Sequence, residues 1–239
     1  MLQVCPNGPR SRADCAGLPI SANELATSAR AAIEAGAQDI HLHPKSSGGR
    51  DTLEPAVVAE VVTRVRAAVP GIPVGVTTGA WTEPDPRRRA ELVYSWTALP
   101  DHASVNWHEP GAELVAAALL ERGVDIEAGI FSGTDAAQRF RSSPLASRVL
   151  RVLAEVMDTD PTTAPATAAA LLTELGPDVP APILLHGENG GAWPVLRVAV
   201  AAGLDTRIGL EDVLHDPDGN PVGDNAVLVR AAGEIIRER

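Results

Sequence analysis

Two histidines stand one residue apart in a short apolar segment of the sequence. The segment from Asp39 to Pro44 contains a β-branched residue, follows Gly36 and is stopped by proline, which is typical of a strand. Side chains alternate between the two faces of a strand, so His41 and His43 point the same way. Two imidazoles on one face can bind one metal ion when a third ligand comes from elsewhere in the chain. The pattern alone is weak, because a hydrogen-bonded core histidine fits it equally well.

Composition favours a globular protein with an acidic surface. The chain has 239 residues, is 45% hydrophobic and carries a formal net charge of −11, which is enough length for one sizeable core. The charge disfavours nucleic acid and anionic membranes as partners. No apolar run approaches the ~20 residues that span a bilayer, and no secretory signal pattern is expected. Cys5 and Cys15 have no metal-like spacing, so a disulfide framework is not expected and a reducing cytoplasm is the expected location.

The secondary-structure pattern alternates strand and helix along the chain. Ser21 and Glu24 form a capping box at the start of a helix that Gly36 ends. Pro110 and Gly123 bracket another helix. Strands are predicted over residues 2–5, 39–44, 73–76, 103–107, 124–126, 152–156, 182–186 and 206–210. Eight strands alternating with eight helices predict an α/β fold, a (β/α)8 TIM barrel with a single domain over residues 1–239.

Polar and titratable residues are concentrated where the predicted strands end. In barrels of this kind the carboxyl ends of the strands carry the chemistry. Loops are polar in most proteins, but several of these residues fall inside strand segments, where a buried polar group needs a partner. They are His41, His43, Thr77, Thr78, Asn106, His108, Glu109, Glu127, His186, Glu188, Asn189, Arg207, Glu211 and Asp212.

The end of the eighth strand supplies the missing metal ligand and a cation. Strand eight neighbours strand one in a closed barrel, so Glu211 lies near the histidines of strand two and completes a set of two imidazoles and one carboxylate. Such a set leaves an open coordination position, the arrangement of a catalytic zinc. Arg207 lies four residues before Glu211 on the same strand face. An inward arginine either holds a substrate anion or forms a buried salt bridge, here with Glu127 or Glu155.

Four segments of the chain, taken together, resemble the β-keto acid cleavage enzymes, a family whose named member is the 3-keto-5-aminohexanoate cleavage enzyme. The segments are residues 7–10, 35–44, 77–79 and 207–212. The resemblance implies a zinc-bearing barrel with one Zn²⁺ per subunit, usually a homotetramer. It also implies the reaction, in which a β-keto acid condenses with acetyl-CoA and the adduct is cleaved to acetoacetate and a new CoA thioester.

The resemblance also implies roles for individual residues. By position, His41, His43 and Glu211 match the metal ligands of the family. Arg207 matches the family's arginine, which would hold the substrate carboxylate, and Asp212 matches its proton-abstracting aspartate.

The remaining candidates are substrate contacts. Thr77 falls where the family has a serine that contacts the keto acid, and Asn106 and Arg10 stand where it has threonine and glutamate. Glu127 joins them as a strand-end carboxylate. Since Arg10 in place of glutamate inverts the charge, we expect a keto acid with a neutral or anionic acyl chain. No phosphate-binding glycine motif marks a CoA site.

Other functions fit the same metal site. A hydrolase of the amidohydrolase type also uses His-x-His in a barrel, but it needs further histidines on strands five and six, where this chain has Glu127 and Glu155. A lactonase or an aldolase-like enzyme uses a similar metal. A metal-stabilised or degenerate barrel with no activity could serve as a binding or assembly protein, although a structural zinc needs neither Arg207 nor Asp212.

Overall fold

The computed structural model describes residues 1–238, and its strands form one parallel sheet in the order β7-β6-β5-β4-β3-β2-β1-β8. The strands are β1 Leu2–Val4, β2 Asp39–Leu42, β3 Val74–Thr77, β4 His102–Asn106, β5 Asp125–Phe131, β6 Arg151–Val156, β7 Ile183–Gly187 and β8 Thr206–Ile208. The helices are α1 Ala22–Glu34, α2 Pro55–Ala68, α3 Pro86–Tyr94, α4 Ala112–Glu121, α5 Ala136–Ser142, α6 Ala164–Leu175, α7 Ala192–Ala202 and α8 Asn225–Arg237.

The sheet closes between its two outer strands. A single parallel bridge joins Leu184 of β7 to Asp205, the residue before β8. The amide of Leu185 donates to the Asp205 carbonyl at 2.9 Å, and the amide of Asp205 donates to the Ile183 carbonyl at 3.2 Å. The predicted (β/α)8 barrel is therefore confirmed.

The two faces of the strands have different compositions. On β2, Ile40 and Leu42 are fully buried in the apolar layer between the sheet and the helices. Asp39 and His41 alternate with them and point into the barrel, where they meet polar side chains from other strands. The outer layer thus supplies the hydrophobic core, and the barrel interior is polar at the positions where chemistry is expected.

The predicted capping box at the start of α1 is also confirmed. The Ser21 hydroxyl accepts from the Glu24 amide at 3.3 Å, and the Glu24 carboxylate accepts from the Ser21 amide at 2.9 Å. Behind this cap, Leu25, Ala29 and Ala32 are buried at helical spacing in the hydrophobic core. None of the helices in residues 1–238 combines the length and the apolar character needed to cross a membrane.

Some predicted element boundaries differ from those in the structure. Strand β2 ends at Leu42 and β8 ends at Ile208, so the polar residues that follow lie in the turns after the strands. The last turn before α7 is a 3-10 helix over Asn189–Gly191. Because these turns come at the carboxyl ends of the strands, the shorter strands leave the predicted end of the barrel unchanged.

Candidate active site

A cavity of about 400 Å³ opens at the carboxyl ends of the barrel strands. Every residue predicted for the site, except Glu127, lines this cavity. The residues that do so are Arg10, His41, His43, Thr77, Asn106, Arg207, Glu211 and Asp212.

His41, His43 and Glu211 converge as a possible metal site. One ligand atom from each lies within 4.8 Å of the others, and His43 Nε2 is 3.4 Å from Glu211 Oε1. Gly8 makes room for this carboxylate, since a Cβ at position 8 would lie 2.3 Å from Glu211 Cγ. Glu211 Oε2 is buried and has no hydrogen-bond partner among residues 1–238. An unpaired carboxylate oxygen beside two imidazoles fits a divalent cation.

Each histidine is held from behind by a carboxylate. His41 Nδ1 lies 3.2 Å from Glu127 Oε2, and His43 Nδ1 lies 2.7 Å from Asp51 Oδ2. A carboxylate at Nδ1 favours a proton there and leaves the lone pair of Nε2 for a metal. The arrangement therefore leaves Nε2 of each ring as the atom that can bind a cation, in exchange for any proton that it carries.

The loop after β2 anchors His43 on several sides. The Asn7 amide group donates to the His43 carbonyl at 2.8 Å and accepts from the His43 backbone amide at 3.0 Å. Asp51 also accepts from the Trp81 indole at 2.9 Å and pairs with Lys45. The Trp81 ring stacks on the imidazole at 5.9 Å between centroids.

The electrostatics of this site favour positive charge. Burial lowers the pKa of His43, but the facing carboxylates of Glu211 and Asp51 outweigh burial and raise the pKa to about 9. Burial raises the pKa of Glu211, but Arg207 and His43 outweigh it and hold the pKa well below its usual range. The protein thus presents an ionised carboxylate at a position that attracts a cation.

Glu127 occupies a different place from the one predicted. It is fully buried below the cavity, where its carboxylate accepts from Gln3 Nε2 at 2.7 Å and faces Arg151 Nε at 3.1 Å. His102 Nδ1 lies 3.2 Å away on another side. Its carboxylate is surrounded by these groups and His41, so Glu127 contacts a predicted metal ligand and does not line the cavity.

Arg207 is held against the two carboxylates that follow it. Its Nη2 atom donates to Glu211 Oε1 at 3.0 Å and to Asp212 Oδ1 at 2.9 Å, and its Nε donates to Asp212 Oδ1 at 3.1 Å. Burial lowers the pKa of Arg207, but Asp212 and the other nearby acids outweigh burial and raise it well above the usual value. The salt-bridge partners considered from the sequence, Glu127 and Glu155, are not its contacts among residues 1–238.

Two atoms of this pair have no hydrogen-bond partner among residues 1–238. In the described part of the chain, Arg207 Nη1 makes no hydrogen bond, and Asp212 Oδ2 is buried without a partner. One free guanidinium nitrogen and one free carboxylate oxygen are what an anionic carbon acid needs, because one can hold its carboxylate and the other can accept its proton.

The other predicted contacts surround the same cavity. Arg10 Nε donates to the Glu211 carbonyl at 3.0 Å, and Arg10 Nη2 donates to Asn189 Oδ1 at 2.8 Å. Asn106 Nδ2 donates to Glu109 Oε1 at 2.9 Å, and the Thr77 hydroxyl accepts from the Gly79 amide at 3.2 Å. Arg10 therefore lies next to the backbone of Glu211, a predicted metal ligand.

Four further residues of the site could not be predicted, or were only partly indicated, by the sequence. Asp51 and Trp81 reach His43 from loops, and no periodicity signals their position. Glu155 and His186 line the cavity from β6 and β7. His186 was noticed as a strand-end histidine, and Glu155 was considered only as a salt-bridge partner, although its inward strand position was a usable signal.

Comparison with known proteins identifies relatives for the whole chain. The sequence model of the family described as beta-keto acid cleavage enzyme matches residues 1–239. The 3-oxoadipate:acetyl-CoA acetyltransferase of Cupriavidus necator is 39% identical over 71 residues, which are 30% of this chain and 25% of that protein. The matched segment thus spans a quarter of the length of this curated relative.

Solved structures share the fold. ObcA, in a ternary complex with a C4-CoA adduct and oxalate, superimposes with a TM-score of 0.73 at 17% identity, covering 93% of this chain and 64% of that one. The 3-dehydroquinate dehydratase of Enterococcus faecalis gives a TM-score of 0.65 at 10% identity, covering 99% of this chain and 92% of that one. Identities this low support the barrel fold alone.

The four segments that carry the resemblance lie within the residues that the family model matches. The resemblance was carried by residues 7–10, 35–44, 77–79 and 207–212, and the family model extends over residues 1–239. The segments named by the resemblance include the residues that meet at the cavity. This chain belongs to the beta-keto acid cleavage enzyme family.

Proposed function

We propose that this chain transfers the acyl group of a β-keto acid to CoA. The acetyl group of acetyl-CoA joins the carbon between the keto and carboxylate groups, and the original acyl group leaves that carbon as its CoA thioester. The products are acetoacetate and the new acyl-CoA. The observation that carries the proposal is the meeting of Arg207 and Asp212 with His41, His43 and Glu211 at one cavity.

Arg207 would bind and orient the substrate carboxylate. Its Nη1 nitrogen makes no hydrogen bond within residues 1–238, while Nε and Nη2 are fixed by Asp212 and Glu211. A guanidinium held in this way loses little freedom when an anion binds, so the substrate enters with its α-carbon at a defined position.

Asp212 would act as the general base. Both hydrogen bonds from Arg207 reach Oδ1, which leaves Oδ2 as the oxygen that can accept a proton from the α-carbon. The same oxygen would return that proton to the acetoacetate carbanion after cleavage, so the reaction consumes no net proton.

His41, His43 and Glu211 would hold one Zn²⁺ ion. Two neutral imidazoles and a carboxylate form a set typical of catalytic zinc, and Glu127 and Asp51 keep the imidazoles in the required tautomer. When bound, the ion supplies Lewis acidity that polarises the keto oxygen and makes the α-proton more acidic.

The acyl chain of the substrate would be neutral or anionic. Arg10 and Arg207 both line the cavity and both contact Glu211. A cationic chain near Arg10 would meet like charge, whereas a carboxylate would gain an attractive contact there. We also propose a homo-oligomer, a tetramer by family resemblance, which light scattering would test.

A panel assay would test the proposed reaction. The zinc-loaded protein is incubated with acetyl-CoA and β-keto acids whose acyl chains are neutral, anionic or cationic, and acetoacetate is measured. We expect acetoacetate from a neutral or anionic member, and a loss of about 10²- to 10⁴-fold in Asp212→Asn, because the amide cannot accept the proton.

Lactones and amides offered to the same zinc-loaded protein, together with metal analysis, separate the competing functions. Hydrolysis of lactones or amides by the zinc-loaded protein, with no acetoacetate from any keto acid, would support a hydrolase or lactonase. If the protein binds no zinc and converts none of the substrates, the result would support a non-catalytic binding protein. Either result would reject the proposal.

A further inference from the structure

Glu155 and His186 form a pair on the cavity wall that the proposed reaction has not yet used. Glu155 lies on β6 opposite His186 of β7 in the parallel register, and both side chains line the cavity. His186 is 4% exposed, and neither of its ring nitrogens makes a hydrogen bond within residues 1–238. A buried imidazole left in this state costs free energy, so the groups that face its nitrogens are its natural partners.

Two carboxyl groups face the ring. His186 Nδ1 is 3.5 Å from Asp212 Oδ1, and His186 Nε2 is 3.7 Å from Glu155 Oε2. Both distances are slightly longer than a hydrogen bond, and catalytic contacts of this kind often shorten when substrate binds. The three side chains therefore lie in a row, with His186 in the middle.

The shifts in pKa of His186 and Glu155 favour protonation states that allow hydrogen bonds between these three side chains. Burial, together with the positive charge of Arg207, lowers the pKa of His186, so the ring is neutral. Burial raises the pKa of Glu155 to about 8, with Glu211, Asp212 and Glu127 adding to the shift and Arg207 opposing it. At neutral pH, Glu155 can therefore donate to Nε2, which leaves the ring proton on Nδ1, facing Asp212.

We propose that Glu155, in its acid form, and His186 are positioning residues that hold Asp212 through the chain Glu155 O–H to His186 Nε2 and His186 Nδ1–H to Asp212 Oδ1. Together with Arg207, this series of hydrogen bonds directs every side-chain donor to Oδ1 of Asp212. Oδ2 of Asp212 is then the oxygen that would accept the proton of the substrate α-carbon. The part of the inference that concerns catalysis rests on the proposed function, because it takes Asp212 as the base.

Two variants of nearly the same shape test whether the side chain at position 155 must donate a hydrogen bond or only occupy space. Glu155→Gln keeps an N–H donor for Nε2 and should retain most of kcat, whereas Glu155→Met removes the donor and should lower kcat by about 10²-fold with little change in KM. His186→Phe should resemble Glu155→Met. Raising the pH should lower the kcat of the wild type as Glu155 ionises, while that of Glu155→Gln stays level. Thermal melts check that all variants fold.

Nitrogen NMR tests the chain without reference to turnover. The His186 signals, identified by their loss in His186→Phe, should show the Nδ1–H tautomer in the wild type, and the Nε2 signal should have the shift of a hydrogen-bonded acceptor in the wild type and in Glu155→Gln but that of a free acceptor in Glu155→Met. An Nε2–H tautomer in the wild type would overturn the inference, as would equal kcat values for the Gln and Met variants. If the keto acid panel gives no turnover, that result counts against the proposed function only. The NMR result then decides the inference by itself.

Discussion

At the scale of single residues, the candidate metal site depends on pairs of side chains. His41 faces Glu127 and His43 faces Asp51, each through Nδ1. A carboxylate in this position fixes the tautomer and orientation of the ring and raises its basicity toward a metal. The two rings are therefore oriented before a metal binds. The carboxylates of Glu127 and Asp51 should influence the metal affinity nearly as strongly as the ligands do.

Asp51→Asn should weaken zinc binding by about 10- to 100-fold, because an amide holds the His43 tautomer less firmly than a carboxylate. The measurement is a competition titration against a fluorescent chelator. Asp125→Asn is the matched control, since Asp125 is exposed at the opposite end of the barrel, at the start of β5. Equal zinc affinities for the two variants would show that Asp51 does not support the metal ligand.

Arg207→Lys should lower kcat/KM for the β-keto acid by about 10- to 100-fold, the value of one charge-assisted hydrogen bond, because lysine cannot span Glu211, Asp212 and a substrate anion at once. The melting temperature should change much less than the activity, since one cation still faces both carboxylates. Steady-state kinetics and thermal melts on the same samples make the comparison. Unchanged kinetics would remove Arg207 from substrate binding.

The sequence predicted these residues unevenly, for a physical reason. Side-chain alternation fixes the face of a strand, so His41 and His43 were correctly expected to share the barrel interior. Alternation says nothing about depth, which depends on the relative stagger of the strands. Glu127 does point inward, but it is fully buried and does not line the cavity, so its contact with substrate stays a prediction. Asp51 could not be predicted, because a loop returns it to His43.

At the scale of elements, short strands and tight turns position the site. Strand β8 ends at Ile208, and the following turn presents Glu211 and Asp212 to the cavity. Gly209 permits this turn, because a Cβ there would lie 2.0 Å from the Cys5 carbonyl oxygen of the neighbouring strand end. The order of elements was predictable from periodicity and from caps such as that of Ser21, whereas the exact strand ends depend on these tertiary contacts.

Ser21→Ala should lower the free energy of unfolding by about 1 kcal/mol, because α1 loses its N-cap. The exposed Thr173→Ala variant in α6 is the control, since its hydroxyl only contacts a carbonyl within the same helix. Hydrogen bonds from the Ser21 and Ile20 amides lower the pKa of Glu24 to about 2. This stabilisation is present above the ordinary glutamate pKa of about 4.5 and is lost as the pH falls through about 2. Denaturant unfolding measures both effects, and equal losses in the two alanine variants would refute the cap.

At the scale of the whole molecule, the barrel encloses a large number of charged groups. Below the cavity, Glu127 and Asp39 surround His102 and Arg151 in a buried layer. Burial lowers the pKa of His102, but the two carboxylates outweigh burial and raise it to about 10. This layer is balanced by its own cations, whereas the unpaired oxygen of Glu211 lies in the layer above, where a metal ion would complete the balance.

Zinc at 100 times its dissociation constant should therefore stabilise the folded protein by about 2.7 kcal/mol, which corresponds to a rise of about 5–10 °C in the melting temperature. His43→Ala should abolish both this rise and turnover, because two ligands rarely retain zinc. Differential scanning fluorimetry with chelator and with zinc gives the result. A His43→Ala variant that keeps one zinc per chain would place the metal elsewhere.

The most direct measurement of the proposed reaction follows the acetyl group of acetyl-CoA labelled with carbon-13 at both acetyl carbons. With an unlabelled β-keto acid and the zinc-loaded protein, we expect acetoacetate labelled at its keto and methyl carbons, together with an unlabelled acyl-CoA from the substrate. Label recovered only as acetate, or acetoacetate without label, would show that the acetyl group does not join the keto acid and would reject the proposed reaction.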